Sequence, residues 1–362
     1  MTQISQSAYW LALTYASSLR LARVKAIVAD WCLRGGHPLS DLFELSPADM
    51  AARLGLTGEE CEAIQTARGH VSRQAVWASD LASKGVHIVT RAAPSYPVAL
   101  TCCLPFPQQP LLLFFRGDPG VLYQPMVALV GMPDASQAVL ESTGELAALL
   151  ADEGLVVVSG LSKGVGRASF DCALSATDGQ AVAVLPMGIC ALDEGQEATV
   201  TVDRNRALLL SPFHPDAPID ESRARARNRL IAALVDALIV MTTSQEGLTR
   251  EMAEEALAMG KGVYVWDSRS AAEPASAGNQ ALIEAGAMPI SSLSDVVDLI
   301  EAVVKASLEQ PAAQESSPAR SPHHPADGTA APLEPMDSQT TLNLLSKAGR
   351  VPGVLVKRLE KS

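Results

Sequence analysis

Residues 154–174, GLVVVSGLSKGVGRASFDCAL, decide the fold of this chain. The stretch begins with a short, continuously apolar run, passes through a glycine-rich loop, and ends in a segment whose apolar residues have helical spacing. A strand that is buried on both faces is continuously apolar, whereas a half-exposed strand alternates between apolar and polar residues. The stretch therefore predicts a strand, a tight loop and a helix, which is the repeating unit of a parallel α/β sheet.

The same alternation of apolar runs and helical segments extends from about residue 85 to residue 305. Other apolar runs, separated by helical stretches, are GVHIVT, PLLLFF, MVALVG, QAVAVLP, RALLLS, DALIVM and KGVYVW. We expect an α/β fold for residues 85–305, with a doubly wound, mostly parallel, Rossmann-like sheet. Ligands of such sheets bind beyond the carboxyl ends of the strands, so the loops that follow the strands are the candidate sites.

The segments on either side of this region have a different composition. Residues 1–84 predict a small all-helical domain, in which Ser46 and Thr57 are expected to cap two short helices. Residues 306–336 contain six prolines among Ala, Ser and Gln, a composition typical of a disordered linker. Residues 337–362 predict a short helical, basic tail.

Composition narrows the class of protein. The formal net charge of -12 argues against a protein that coats duplex DNA over its whole surface, although it allows one local basic site. The sequence contains neither a long apolar run nor a signal peptide pattern, so we expect a cytoplasmic protein without a membrane partner. The six cysteines lack metal-ligand spacing, and we expect no metal and no cofactor.

Two loops after predicted strands have the composition of phosphate sites. In VALVGMPDAS, Gly131 lets the backbone approach an anion at the start of a helix, although any tight turn uses glycine. In SGLSKGVGR, glycines, a hydroxyl and two cations combine, which favours an anion cradle over a plain turn. The predicted contacts of this second loop are Ser159, Gly160, Lys163, Gly164 and Arg167.

A third candidate is the segment ESRARARNRLIAAL at residues 221–234. If it is helical, Arg223 and Arg227 lie one turn apart, as do Arg225 and Arg229, and together they form two cationic rows near the helix start. The positive end of the helix dipole disfavours cations there, so the rows indicate a bound anion. The alternative is surface arginines paired with Asp216, Asp220 or Glu221.

These motifs resemble those of the DNA-processing protein A (DprA/Smf) family, both in their residues and in their order along the chain. The matching segments are VGMPDAS, SGLSKGVGRAS, RNRLIAAL with Asn228, and GNQALIEAGA with Gly278 and Asn279, and the resemblance covers residues 85–300. The family's first-turn arginine falls on Pro133 and its acid in the second loop falls on Gly166. The resemblance implies a single-stranded DNA-binding protein that acts without catalysis in natural transformation, protecting incoming strands and loading a RecA-type recombinase. A homodimer is left open.

Two other functions remain as alternatives. A nucleotide-binding sensor would use the same phosphate loops. A nucleotide N-glycosidic hydrolase on a related Rossmann-like fold would need a catalytic glutamate, for which Glu246 is the nearest candidate but stands in the wrong order.

Overall fold

A nine-stranded sheet forms the centre of the molecule, in the order β1-β2-β6-β5-β4-β3-β7-β8-β9. The computed structural model describes residues 5–192, 206–267 and 277–309. The pairings of β2 with β1 and β6 are antiparallel, and all others are parallel. The strands are β1 His87–Thr90, β2 Leu112–Arg116, β3 Met126–Gly131, β4 Val156–Ser159, β5 Ala181–Val184, β6 Ala207–Ser211, β7 Ala237–Thr242, β8 Gly262–Trp266 and β9 Met288–Ile290.

This arrangement confirms the predicted mostly parallel α/β sheet, and each apolar run of the sequence forms one strand. The short strand β9 was not predicted. Its three residues include Pro289, which lacks a backbone N–H, and so carry little strand signal. Parallel pairing with β8 at the sheet edge is what makes this segment a strand.

Twelve α-helices lie in the described residues. They are α1 Gln6–Leu11, α2 Leu21–Val28, α3 Leu39–Glu44, α4 Pro47–Leu54, α5 Gly58–Ser83, α6 Val98–Cys103, α7 Gln137–Asp152, α8 Val165–Ser175, α9 Glu221–Leu234, α10 Leu248–Ala258, α11 Ala277–Glu284 and α12 Leu293–Glu309. Single π-helical segments, Ala12–Ala16 and Ala29–Arg34, continue α1 and α2.

Two of the N-terminal helices, α4 and α5, begin at the predicted caps. The Ser46 side chain accepts a hydrogen bond from the Asp49 N–H, and Thr57 forms a reciprocal capping box with Glu60. The second of these helices was predicted to be short, but α5 runs for 26 residues. Gly69 and the β-branched Val71 weaken its local helical signal, whereas its buried face packs against α1 and the following π-helical segment.

The two faces of the sheet pack into two apolar layers. Along β3, Val127 and Leu129 belong to one cluster, while Ala128 and Val130 belong to the other. The first cluster is continuous with the apolar side chains of the N-terminal helices, and it also holds α7, α8 and α12. The second cluster contains the apolar sides of α9 and α10. The sheet is therefore covered on both faces, as its continuously apolar strands require.

The C-terminal boundary of the folded region lies beyond the predicted one. Helix α12 continues to Glu309, so residues 306–309 are helical and not part of a linker. Buried Val303 and Val304 hold the helix against the first cluster, and Ala306 and Leu308 suit a helix until Pro311. The remainder of the predicted linker and the predicted tail lie outside the described residues, and the division into domains stays a prediction. In the described ranges, no helix is long and apolar enough to span a membrane.

An aromatic junction joins the N-terminal helices to the sheet. His214, in the loop after β6, stacks on Trp77 of α5 with ring centroids 5.0 Å apart and planes 23° apart. Tyr15 meets the same imidazole edge-on at 4.9 Å. Because the loop after β6 lies at the carboxyl edge of the parallel strands, the junction fixes the helical layer at the edge where ligands of such folds bind.

We expect Trp77→Ala to lower the free energy of unfolding by about 2 kcal/mol, since it removes a half-buried indole and its ring contacts. Urea unfolding of Trp77→Ala, His214→Ala and the double variant measures the coupling between the two rings. The matched control is Val76→Ala, whose side chain is 71% exposed and should change little. Strict additivity of the two single variants would show that the stacked pair adds nothing to docking.

Candidate functional site

The glycine loop after β4 is shaped by a buried serine. Ser159 is fully buried, and its hydroxyl donates to the Gly166 carbonyl while accepting from the Leu161 N–H at 3.0 Å. The hydroxyl thus links the start of the loop to the first turn of α8. Ser159 was predicted to contact phosphate, but its hydrogen-bonding groups are used within the loop.

Two glycines let the loops after β3 and β4 touch. Gly164 has φ +79°, and a side chain there would lie 2.7 Å from the carbonyl oxygens of Met132 and Pro133. A side chain at Gly131 would lie 2.6 Å from the Val165 side chain. Between them, Leu161 adopts φ +54°, a left-handed conformation that costs energy for a branched residue.

The loop leaves a row of backbone donors unused. The N–H groups of residues 162 to 166 donate to no acceptor among the described residues. Gly164 is the N-cap of α8 and provides no side-chain cap. In the first turn of this 11-residue helix the Arg167 N–H donates to the Gly164 carbonyl, whereas the N–H groups of the buried Val165 and Gly166 keep no partner among the described residues. Consecutive free amides at a helix N-terminus are the backbone arrangement that binds anions.

The two cations of the loop have different environments. Lys163 is exposed and forms no ion pair within the described chain. Arg167 donates to the Asp171 carboxylate one turn along α8, with Nε and Oδ2 2.7 Å apart. Lys163 is therefore the loop cation that is free to meet a ligand.

Arg227 reaches this loop from α9, which packs on one face of the sheet. Its side chain is 7% exposed, and Nη1 donates to the carbonyl oxygens of Gly160 and Val184. A side chain at Gly160 would overlap the guanidinium, so glycine at this position allows Arg227 to lie where it does. Burial lowers the pKa of Arg227 to about 10, and no carboxylate among the described residues opposes this shift. Arg227 is therefore still protonated at neutral pH.

The other three arginines of α9 are paired with acids. Arg223 pairs with Asp220, the residue that caps α9, and Arg229 pairs with Glu255 of α10 at 2.6 Å. Arg225 contacts Glu221 and, at 2.7 Å, Glu251 of α10. The two predicted cationic rows are thus largely neutralised, as the alternative interpretation of this segment expected for Asp220 and Glu221. The i, i+4 spacing of Glu251 and Glu255 matches that of Arg225 and Arg229, a signal that was available in the sequence.

Three further predicted site residues make internal contacts. Asn228 donates from Nδ2 to the Leu248 carbonyl at 3.2 Å, joining α9 to the start of α10. Asn279 is 1% exposed; it accepts from the Thr243 N–H and donates to the carbonyls of Met241 and Trp266. Gly278 allows α11 to approach, since a side chain would lie 2.2 Å from the Thr243 carbonyl. A structural role thus accounts for all three residues.

Other chemistry has little support in the described region. Among the residues described, no three His, Cys, Asp or Glu side chains cluster as a metal site would require. Glu246, the acid nearest to the hydrolase pattern, is exposed in the loop after β7. The site is therefore built from backbone donors and two cations, Lys163 and Arg227.

A doubly wound α/β sheet with a glycine loop at its carboxyl edge defines a protein of the Rossmann-like class, in which ligands bind at this edge. Residues 87–301 match the family model of the DNA recombination-mediator protein A, and the chain belongs to this family.

Two relatives support this assignment. The DNA processing protein DprA of Streptococcus pneumoniae is 31% identical over 189 residues, which cover 52% of this chain and 66% of that protein, just under two thirds. Protein Smf of Escherichia coli is 23% identical over 287 residues, or 78% of this chain and 74% of Smf.

Solved structures share the fold. The crystal structure of the Streptococcus pneumoniae DprA matches with a TM-score of 0.62 and 24% identity, covering 82% of this chain and 98% of that one. A structure of the Helicobacter pylori DNA processing protein A, described for its single-stranded DNA binding mode, matches with a TM-score of 0.52 and 22% identity. It covers 60% of this chain and 96% of that chain.

We expect Asn279→Ala to destabilise the fold by about 2 to 4 kcal/mol, because it leaves buried backbone groups at the ends of β7 and β8 without partners. Denaturant unfolding measures the loss, with the exposed neighbour variant Gln280→Ala as control. A fully stable Asn279→Ala protein would contradict the structural role of this side chain and return Asn279 to the list of ligand contacts.

Proposed function

We propose that this chain binds single-stranded DNA through the glycine loop after β4. The observation that carries the proposal is the row of free backbone amides at residues 162 to 166 beside the exposed Lys163. Membership of the DNA recombination-mediator protein A family supports DNA as the ligand. The single-stranded DNA binding mode described for the Helicobacter pylori protein supports the single strand.

The net charge of the protein restricts where a DNA strand can bind. With a net charge of -12, the surface as a whole repels a polyanion, so binding has to be local. Backbone amides and a lysine recognise phosphate and not base, so we expect little sequence preference and strong dependence on salt. Gly131 and Gly164 bring the loop after β3 against the same site, so it lies alongside the strand path.

The biological part of the proposal follows from the family. We propose that the protein acts in natural transformation in the cytoplasm, where it protects incoming strands and loads a RecA-type recombinase, without catalysing a reaction. A homodimer would provide two such loops for one strand. The description of the family as a recombination mediator supports this role.

Lys163→Ala tests the assignment of the loop. We expect it to weaken binding of a long oligothymidine by about 1.5 to 3 kcal/mol, the range for a hydrogen bond to a charged group, which is roughly tenfold to a hundredfold. The slope of log affinity against log salt should fall by about 0.7, the value for one phosphate of a single strand. Fluorescence anisotropy over a salt series measures both quantities.

Lys305→Ala, which removes an exposed lysine of α12, is the matched control and should leave affinity and slope unchanged. Unaltered binding by Lys163→Ala at low salt would mean that the strand is held elsewhere. A second series compares thymidine monophosphate with oligothymidines of increasing length. Affinity that grows with length supports a strand binder, whereas equal affinities would favour the nucleotide sensor.

A further inference from the structure

The guanidinium of Arg227 has one edge that the fold does not use. Nη1 is occupied by the carbonyls of Gly160 and Val184. Nε is buried and has no hydrogen-bond partner, and Nη2 donates to no acceptor among the described residues. Nε and Nη2 together form the edge that binds two oxygens of a carboxylate or phosphate side by side.

In three other arginines of the described chain, the corresponding Nε/Nη2 edge binds a carboxylate. Arg23 binds both oxygens of Glu60 through Nε and Nη2, at 2.6 and 2.9 Å. Arg225 directs the same two nitrogens at Glu251, and Arg229 directs them at Glu255. Arg227 is far more buried than these three arginines, yet its Nε/Nη2 edge meets no acid within the described chain.

A buried cation without a counterion is costly for a folded protein. Moving a charge out of water costs several kcal/mol, and two carbonyl contacts recover only part of that cost. The cation also lies directly beneath Gly160, at the start of the loop whose amides are free. The guanidinium therefore contacts the loop two residues before its first unused amide, that of Ser162.

We propose that Arg227 is the buried counterion of a subsite for one phosphate group, which the Nε/Nη2 edge and the amides of residues 162 to 166 hold between them. The inference rests on the proposed function for the location of the site. It goes further in stating that the bound anion balances the buried positive charge of Arg227. Binding of a phosphate group therefore stabilises the folded state, in addition to attaching a strand. Free phosphate, a mononucleotide and a DNA strand all provide the same group.

Thermal unfolding of the full chain in sodium phosphate, against sodium chloride of equal ionic strength, tests the proposal. We expect phosphate to raise the midpoint by about 3 to 6 °C for the unmodified protein, the shift that occupancy of one site gives in a domain of this size. Arg227→Gln keeps an amide donor for the Gly160 carbonyl but removes the charge and the fork, so it should lose this difference. Arg229→Gln, which removes an arginine already paired with Glu255, should keep it.

Three outcomes overturn the inference: no phosphate-specific shift in the unmodified protein, a full shift in folded Arg227→Gln, or loss of the shift in Arg229→Gln. If Arg227→Gln fails to fold, Arg227→Lys, which keeps the charge without the planar fork, should retain a reduced shift. A full shift in that variant also counts against the fork.

Oligothymidine and thymidine monophosphate identify the source of the group. A strand is favoured if oligothymidine stabilises at concentrations far below those of the mononucleotide. Binding of oligothymidine that depends on Lys163 but not on Arg227 would leave the proposed function standing and remove only the subsite.

Discussion

The hydrogen bond from Arg227 to the Gly160 carbonyl is the contact on which the candidate site depends. It runs from α9 beneath the ends of β4 and β5, and so connects a helix on one face of the sheet to the loop at its edge. Gly160, which lacks a side chain, leaves room for the guanidinium in this position, and the buried Ser159 hydroxyl links the start of the loop to Gly166. The positive charge is thereby held in place before any ligand arrives.

This arrangement is compatible with the proposed polyanion site in a protein whose net charge is -12. The cations of α9 are conspicuous in the sequence, but Arg223, Arg225 and Arg229 pair with acids of α9, its cap or α10. Their ion pairs join the two helices and leave little net charge on that surface. Lys163 of the glycine loop and Arg227 of α9, whose guanidinium contacts that loop, form no ion pair within the described chain. The cations of the candidate site therefore lie at one edge of the sheet.

The N-terminal helices contribute to the same edge through a different kind of contact. Trp77 and Tyr15 enclose His214, which follows β6 in the same row of carboxyl-end loops as Gly160. The loop then leads into α9 through Asp220, the cap of the helix that holds Arg227. The helical layer, the loop after β6 and the buried arginine thus form one continuous support for the site.

The sequence by itself determined the fold class, because strands covered on both faces must be continuously apolar and because Ser or Thr at a helix start satisfies free backbone donors. Ser46, Thr57 and Ser136 cap helices as their local chemistry requires, and Ser136 accepts from the Val139 N–H. The family could also be recognised, from motifs that keep their order along the chain. The edge strand β9 escaped prediction because pairing with β8 defines it.

Only the tertiary structure decided which polar residues have partners within the fold. Arg225, Arg227 and Arg229 look alike in the segment RARARNR, yet two of them meet glutamates of α10 and one is buried beneath Gly160. Asn279 resembles a site residue in sequence but is used up by the backbone of β7 and β8. Side-chain partners come from segments distant along the chain, and helical spacing alone does not specify which side of a helix will meet an acid, a carbonyl or water.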